Sequence, residues 1–147
     1  MKRERSLRER ALGFLARREH SRAELRRKLA PHAESPAELD ALLDDLVQRK
    51  FLSETRFAEQ RAHVLSRKYG AARIEHDLRA KGLSKEQSAS VASEARATEF
   101  ERALEIWRRK FGTPASDLKE RGRQTRFLLS RGFSADVIKR ILRHRED

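Results

Sequence analysis

A twelve-residue phrase occurs twice in this chain, fifty residues apart, and it constrains the fold more than any other feature. It runs from Arg73 to Ser84 as RIEHDLRAKGLS and from Arg123 to Ser134 as RQTRFLLSRGFS. The copies share Arg, Leu, Gly and Ser at equivalent positions, and each has an apolar residue directly after the glycine. A match at a fixed period is typical of repeat proteins. The phrase predicts a helix, a glycine that ends it, an apolar anchor and a serine that begins the next helix.

The repetition extends beyond the phrase to nearly the whole chain. A shift of 49 positions aligns Leu25 with Ile74, and a shift of 42 aligns Tyr69 with Phe111. Because the later phrase matches at a shift of 50, the third unit carries eight extra residues around 113–120. Three imperfect copies of a three-helix unit therefore account for almost the entire chain.

Serines mark most of the predicted helix starts, and the apolar residues after them fit one buried helix face. These serines are Ser6, Ser21, Ser35, Ser53, Ser84 and Ser134. The apolar stripes place Val47 and Val64 among the inward-facing side chains. We expect the chain to restart at Thr113-Pro114 with a helix that ends at Gly132.

Composition supports several small cores. Hydrophobic residues make up 37% of the 147-residue chain and charged residues 39%. This is too little apolar material for one large core, but it suffices for three-helix units that each bury one stripe. We predict an all-α fold, an elongated array of three tandem three-helix repeats in one continuous domain. The predicted repeats span residues 1–52, 53–98 and 99–147, and we expect a monomer because no long exposed apolar stripe is left over.

The charge of the chain indicates a polyanionic partner. The formal net charge is +12, a balance that most often points to nucleic acid or to an assembly that contains it. The charge is uneven: residues 1–30 carry a net +7, residues 31–50 a net −3 and residues 107–145 a net +9. Both ends are therefore predicted to be basic, with an acidic helix between them.

Several classes of function find no support in the sequence. There is no cysteine, and the five histidines have no metal-ligand spacing. No phosphate-binding loop or dinucleotide-binding glycine pattern is present, and adjacent residues such as Glu75-His76-Asp77 face different directions on a helix. We predict no catalytic residue, no metal site and no cofactor. No apolar run has the length of a signal-peptide core or a membrane span, so we expect a cytoplasmic protein without a membrane partner.

Four blocks of sequence resemble the RecX family, regulators of the bacterial RecA recombinase. They are ALGFLARREHSRAELRRKL at 11–29, FLSETRFA at 51–58, GAARIEHDLRAKGL at 70–83 and FLLSRGFS at 127–134. The blocks follow the family's order, and the resemblance spans roughly residues 11–142. One departure is Glu54, where the family usually has aspartate, and a carboxylate near a helix start suits the helix dipole in either case.

The resemblance implies a modulator that is not an enzyme. RecX-like proteins are elongated, curved, all-helical arrays that bind the RecA–DNA filament and suppress ATP hydrolysis and strand exchange. They also bind DNA, so the implied partners are the RecA filament and single- and double-stranded DNA, in DNA repair, recombination and the SOS response. A curved array with a basic concave face could follow such a filament.

Fourteen basic residues are predicted to contact DNA or the filament, because they recur on the repeated phrase or form the densest positive region. They are Arg67, Lys68, Arg73, Arg79, Lys81, Arg108, Arg109, Lys110, Arg123, Arg126, Arg131, Lys139, Arg140 and Arg143. Structural roles are predicted instead for the glycines and apolar anchors of the phrase and for the single tryptophan. These are Gly82, Gly132, Leu83, Phe133 and Trp107.

Two other functions remain open at the level of sequence. One is a plain nucleic-acid-binding protein that acts through phosphate contacts alone, with an affinity that falls steeply with salt. The other is a helical scaffold for an acidic protein partner, with no role for DNA.

Overall fold

The computed structural model describes residues 4–143, and in that range it contains nine α-helices and no β-strand. The helices are α1 (Leu7–Arg17), α2 (Arg22–Leu29), α3 (Pro36–Gln48), α4 (Glu54–Leu65), α5 (Ala71–Ala80), α6 (Lys85–Arg96), α7 (Glu99–Lys110), α8 (Leu118–Ser130) and α9 (Ala135–Arg143). A single turn of 3₁₀ helix, Ala30–His32, follows α2. The predicted all-α class is confirmed.

The helices build three separate hydrophobic cores in series. The first core lies among α1–α3, the second among α4–α6 and the third among α7–α9, and we call these trios repeats 1, 2 and 3. Leu25 and Ile74, which the sequence repeat aligns, are both fully buried at equivalent places in the first two cores. Because the small cores follow one another along the chain, the fold is the predicted elongated array of three-helix repeats.

Local sequence signals account for most helix starts. The side chains of Ser6, Ser35 and Ser53 accept a hydrogen bond from the backbone N–H three residues later. Ser21 and Ser84 form complete capping boxes, in which the side chain three residues later also accepts from the N–H of the serine. These predictions are confirmed.

Three local predictions were wrong. Val47 is 45% exposed and Val64 52% exposed, because each lies at the edge of its helix's apolar stripe rather than at its centre. Helix α8 begins at Leu118 and not at Thr113-Pro114. The Asp117 side chain caps it by accepting from the Glu120 N–H at 2.8 Å.

Repeat 2 docks onto the N-terminus of α2 through two hydrogen bonds. Glu54, the first residue of α4, accepts at Oε1 from the backbone N–H of Arg22 at 3.2 Å. The carbonyl of Lys81, at the end of α5, accepts from the Ser21 hydroxyl at 2.7 Å. The carboxylate at position 54 therefore satisfies a helix N-terminus in the preceding repeat as well as standing at the start of its own helix.

Repeat 3 docks onto the N-terminus of α5 in the same way. Glu99, the first residue of α7, is buried and accepts from the Ala71 N–H at 2.7 Å. The carbonyl of Arg131 accepts from the Gly70 N–H at 2.8 Å. The two joints between repeats thus use equivalent residues, a carboxylate from the incoming first helix and a carbonyl from the glycine turn.

The glycines of the duplicated phrase are required by these joints. Gly82 has φ +95° and Gly132 has φ +85°, a conformation that L side chains rarely adopt. A Cβ at either position would also lie 2.5 Å from a Cβ of the preceding repeat, that of Ala23 or Arg73 respectively. Helix α2 has no preceding described repeat on which to dock, and its end at Ala30–His32 lacks the glycine.

A half-buried arginine reinforces the second joint. The Arg102 guanidinium donates to the carbonyls of Ser66 at 2.9 Å, Tyr69 at 2.6 Å and Ala95 at 2.8 Å. Burial lowers the pKa of Arg102 from its usual value. The side chain thus ties the C-terminal ends of α4 and α6 to α7.

Candidate nucleic-acid interface

Repeat 1 contains ion pairs between its acidic helix and its basic helices. The acidic helix α3 lies beside the basic helices α1 and α2, and its carboxylates pair with their guanidinium groups. The pairs are Arg8 with Asp45 at 2.6 Å, Arg22 with Asp44 at 2.7 Å and Arg26 with Asp40. The basic end and the acidic helix that the sequence indicated therefore form one partly compensated surface, with a net +4 over residues 1–50.

Repeats 2 and 3 instead share an alternating series of cations and aromatic rings, which we call the basic row. Its members are Arg73, Tyr69, Arg131, Phe127, Lys110, Phe111 and Arg123. Arg131 lies at its centre, with its guanidinium carbon 5.6 Å from the ring centroid of Tyr69 and 5.1 Å from that of Phe127. Both distances are within the range of cation–π attraction.

The row continues on both sides of Arg131. In repeat 2, the guanidinium carbon of Arg73 lies 4.6 Å from the centroid of Tyr69. In repeat 3, Lys110 Nζ lies 5.4 Å from the centroid of Phe127, whose ring meets that of Phe111 edge-on at 5.5 Å. Arg123 closes the series 5.5 Å from the centroid of Phe111. The row therefore crosses the joint between repeats 2 and 3.

The sequence repeat is preserved in these contacts. Arg73 and Arg123 are equivalent at the shift of 50, and Tyr69 and Phe111 at the shift of 42. Each repeat places its arginine over its own aromatic ring. Successive repeats therefore present the same cation–ring pair.

Repeat 1 lacks this pair, because the positions equivalent to Tyr69 and Arg73 hold His20 and Glu24. Both side chains are buried. Burial of the Glu24 carboxyl works against its charged form, but hydrogen bonds from the Arg18 guanidinium at 2.9 Å and from a backbone N–H hold its pKa below the usual value. With an anion in place of a cation, the basic row has no counterpart at the joint between repeats 1 and 2.

Comparison with known proteins agrees with this architecture. Models of the first, second and third RecX three-helix domains match residues 8–46, 53–91 and 97–142. The regulatory protein RecX of Leptothrix cholodnii is 54% identical over 138 residues, which cover 94% of this chain and 88% of that relative. The chain belongs to the RecX family. The RecX proteins of Ralstonia pickettii and Neisseria meningitidis serogroup C are 50% and 43% identical, over 93% and 100% of this chain and 86% and 95% of their own lengths.

Crystal structures of RecX proteins have the same fold. The structure of RecX from Lactobacillus salivarius matches with a TM-score of 0.78 at 17% identity and covers 92% of both chains. A second RecX structure matches with a TM-score of 0.73 at 19% identity and covers 92% of this chain and 70% of that one. At such identities the likeness concerns the fold alone.

Four of the fourteen predicted site residues of this RecX-family chain lie in the basic row: Arg73, Lys110, Arg123 and Arg131. Arg108 and Arg109 are neighbours of Lys110 on α7, and Arg109 pairs with Glu105 at 3.0 Å. Six others are exposed outside the row. They are Arg67, Lys68, Arg79, Arg126, Lys139 and Arg143.

Two predicted site residues lie apart from the row. Lys81 lines a cavity of about 360 Å³ between repeats 1 and 2, together with Arg18, Arg61 and Val64. The guanidinium carbon of Arg140 lies 4.1 Å from the centroid of Phe100, at the start of α7, whereas the row meets the end of α7. The contact of all fourteen residues with DNA or a filament stays a prediction.

The aromatic members of the row are not predicted by any sequence pattern. The sequence repeat aligns Tyr69 with Phe111 but assigns no role to either ring. Phe127 begins the block at 127–134, and no sequence pattern assigns it a role. Trp107, by contrast, is buried as predicted, and its indole N–H donates to Gln124 Oε1 at 2.9 Å. The predicted interior anchors Leu83 and Phe133 are also buried.

The acidic residues that could suggest catalysis have structural partners. Glu75 pairs with Arg96 at 3.6 Å and Asp77 with Arg61 at 2.9 Å, while His76 between them is exposed. Within residues 4–143, no group of three or more His, Cys, Asp or Glu side chains is arranged to hold a metal ion. No helix in the described part of the chain is long and apolar enough to cross a membrane.

Proposed function

We propose that this chain binds the RecA–DNA filament and inhibits the recombinase, lowering its ATP hydrolysis and strand exchange in DNA repair and recombination. The proposed partners are RecA and single- and double-stranded DNA in the cytoplasm, and the chain acts by binding, without a reaction of its own. The observation that carries the proposal is the basic row. A regulator that approaches a polyanion needs cations that its own carboxylates do not neutralise.

The distribution of ion pairs supports this assignment of surfaces. Among the described residues, no carboxylate lies within ion-pair distance of Arg73, Lys110 or Arg131, whereas Arg123, the fourth cation of the row, pairs with Glu120 at 3.3 Å. In repeat 1, by contrast, Arg8 and Arg22 have partners on α3. We therefore assign the main electrostatic attraction for DNA to the three unpaired cations of the basic row.

The shape of the molecule suits a long partner. Three small cores in series give an elongated body, and an elongated body can follow a filament over several subunits. Complementary charge along such a surface sets register and speeds association. The fourteen predicted basic residues form the proposed contact surface, with the basic row at its centre.

The proposal is tested by the DNA-dependent ATPase of RecA. Substoichiometric amounts of this chain are expected to lower filament ATPase and strand exchange. The matched control is the chain with Arg73, Arg123 and Arg131 replaced by glutamate, which should inhibit far less at the same concentration. Unchanged ATPase and strand exchange in the presence of the parent chain would contradict the proposal.

A second candidate function is DNA binding through phosphates alone, because the basic row is complementary to any nucleic-acid backbone. Its signature is DNA binding that persists while RecA activities are unaffected. The logarithm of the affinity should then fall with the logarithm of the salt concentration, with a slope of about −0.9 for each duplex phosphate neutralised. Binding to RecA that is independent of DNA would instead favour an acidic protein partner.

A further inference from the structure

We propose that Tyr69, Phe111 and Phe127 are positioning residues, which hold the cations of the basic row in place for consecutive phosphates of a nucleic-acid strand. The inference rests on the proposed function for the identity of the polyanion. It goes beyond that function by giving the rings a role and by placing the phosphate-binding site across the joint between repeats 2 and 3.

The first argument is the alternation of rings and cations. Tyr69 lies between Arg73 and Arg131, and Phe127 lies between Arg131 and Lys110, with every cation 4.6–5.6 Å from the ring it shares. Each pair of neighbouring cations in this part of the row therefore shares one ring. Repulsion between like charges would separate unsupported side chains, whereas the negative faces of the rings attract both neighbours.

The second argument is the chemistry of a stacked guanidinium. An arginine that lies over a ring uses its face for the ring and directs its in-plane N–H groups away from it. Those N–H groups match two oxygens of a phosphate, so one arginine can donate to both. In the row, Arg73 donates one N–H to the Ser130 carbonyl at 3.4 Å and Arg123 donates one to Glu120 at 3.3 Å. Arg131 contacts two rings, and its guanidinium donates to no other group among the described residues, so we assign it the central phosphate contact.

The third argument is conformational entropy. A long basic side chain on the surface loses rotamer freedom when it binds, and this loss weakens its contribution to affinity. Packing against Tyr69, Phe111 or Phe127 restricts the side chain before the ligand arrives. The rings thus raise affinity for phosphate without touching it.

The rings are better placed to act on cations than on bases. Tyr69 and Phe127 each already have two cations over the ring, which leaves less of the ring for stacking with a base. Phe111 meets Phe127 edge-on and carries Arg123. The site therefore recognises the sugar–phosphate backbone and not the sequence of bases.

The joint keeps the row continuous. The Arg131 carbonyl accepts from the Gly70 N–H, and Arg102 donates to the Tyr69 carbonyl, so the backbones that carry both central residues are fixed across the joint. The row is complete only while repeat 3 is docked on repeat 2. Phosphate binding and docking of these repeats are therefore coupled.

The test measures binding of fluorescent oligonucleotides by anisotropy, without RecA, over a range of salt concentrations. The ring variants are Tyr69→Leu and Phe127→Leu, and Tyr69→Phe keeps the ring. Phe14→Leu is a matched control, because the Phe14 ring carries Lys28 at 5.0 Å in repeat 1, outside the row. The two ring-removing variants should bind roughly three- to tenfold more weakly, as expected for loss of cation–π positioning. Tyr69→Phe and Phe14→Leu should bind like the parent.

The salt dependence separates positioning from charge. The ring variants keep every cation, so their salt slope should equal that of the parent, whereas Arg131→Ala should reduce the slope by about one phosphate. Arg131→Lys keeps the charge and the fold but loses the planar guanidinium, and it should weaken binding as much as the ring variants. This variant tests the proposal even if a leucine variant fails to fold, which circular dichroism would reveal.

Several results would overturn the inference. Parent-like affinity of Tyr69→Leu, Phe127→Leu and Arg131→Lys would show that the rings position nothing. If these variants bound single-stranded oligonucleotides more weakly but duplexes normally, or the reverse, the contact would be to bases or to groove shape. Phosphates, which both ligands share, would then not be the recognised group. If the parent bound polyglutamate but not DNA, and the same three variants bound polyglutamate more weakly, the row would be assigned to an acidic protein partner. None of these results depends on RecA, so the ATPase test of the proposed function stands separately.

Discussion

Gly132 is required by geometry at the joint, whereas Gly122 on α8 is not. Gly132 has φ +85°, and a Cβ there would lie 2.5 Å from the Cβ of Arg73. Gly132→Ala should lower the free energy of unfolding by about 1–3 kcal/mol, the usual cost of a non-glycine residue held in such a conformation. Chemical denaturation monitored by circular dichroism measures this change.

Gly122→Ala is the matched control. Gly122 lies inside α8, where an added Cβ would meet only the flexible end of the Arg126 side chain at 3.1 Å. Alanine favours a helix interior over glycine, so this variant should be as stable as the parent or more stable by up to about 1 kcal/mol. Equal stability of Gly132→Ala and the parent would contradict the docking geometry.

His20 makes the stability of repeat 1 depend on pH. The ring is buried, its Nδ1 lies 3.1 Å from the Arg18 carbonyl and its Nε2 lies 2.8 Å from Lys28 Nζ. Because the lysine can only donate, Nε2 accepts and the ring is neutral. Burial of the ring is the main cause that lowers the pKa of His20.

The unfolded chain therefore takes up a proton at His20 near pH 6.5, whereas the folded chain does so only at lower pH. Stability should be full above about pH 6.5 and should fall as pH decreases through that value. Thermal unfolding between pH 5 and 8 measures this loss, in a range above the titration of Glu24. His20→Gln should flatten the profile, and a variant with the parent's slope would disprove the assignment.

At the scale of single elements, most helix starts could be predicted because their caps are local. Ser21 and Glu24 are three residues apart, so their capping box can be read from the sequence. The caps at the joints could not be predicted in this way. Glu99 satisfies the N–H of Ala71 from another repeat, and only the docked structure brings the two together.

The carboxylate caps predict a specific pattern of hydrogen exchange. Glu99→Ala removes the acceptor of the Ala71 N–H, and Glu54→Ala removes that of the Arg22 N–H. Each variant should speed exchange at its own amide by at least about tenfold, because a hydrogen bond to a charged group contributes roughly 1.5–3 kcal/mol. NMR-detected exchange resolves the two amides.

The two variants are controls for each other. Exchange at Arg22 should be unchanged in Glu99→Ala, and exchange at Ala71 should be unchanged in Glu54→Ala. Equal acceleration at both amides in either variant would mean that the joints open together, which is contrary to separate docking of each repeat.

The basic row could be predicted from the sequence only in part. The equivalence of Arg73 and Arg123 could be predicted from the repeated phrase, and so could that of Tyr69 and Phe111. Arg131 joins the ring of Tyr69 to that of Phe127 only because repeat 3 docks on repeat 2. The row is a product of tertiary packing, so no local pattern predicts it.

At the scale of the whole molecule, the net charge of a sequence segment does not show which of its cations are unpaired in the folded chain. Residues 1–30 carry a net +7, but α3 folds beside α1 and α2 and its carboxylates pair with their arginines. The row in repeats 2 and 3 has fewer such partners. The three repeats carry similar net charges, +4 for residues 1–52, +3 for 53–98 and +5 for 99–147. The proposal that DNA binds at repeats 2 and 3 therefore rests on the arrangement of cations in the basic row and not on the net charge of a repeat.

Two charge-reversed variants of equal net charge test the central claim. One replaces Arg123, Arg126 and Arg131 by glutamate, and the other makes the same change at three exposed arginines of repeat 1, Arg5, Arg17 and Arg27. Both changes alter the net charge equally, so any difference between the variants reports on the position of the charge. Circular dichroism verifies that both variants remain folded.

The decisive measurement is the DNA-dependent ATPase rate of RecA as each protein is titrated. The parent chain and the variant changed in repeat 1 should inhibit at similar substoichiometric concentrations, and the variant changed in repeat 3 should need a concentration at least about tenfold higher, as expected from the loss of several phosphate contacts. Equal inhibition by both variants, or no inhibition by the parent, would contradict a filament regulator that acts through repeats 2 and 3.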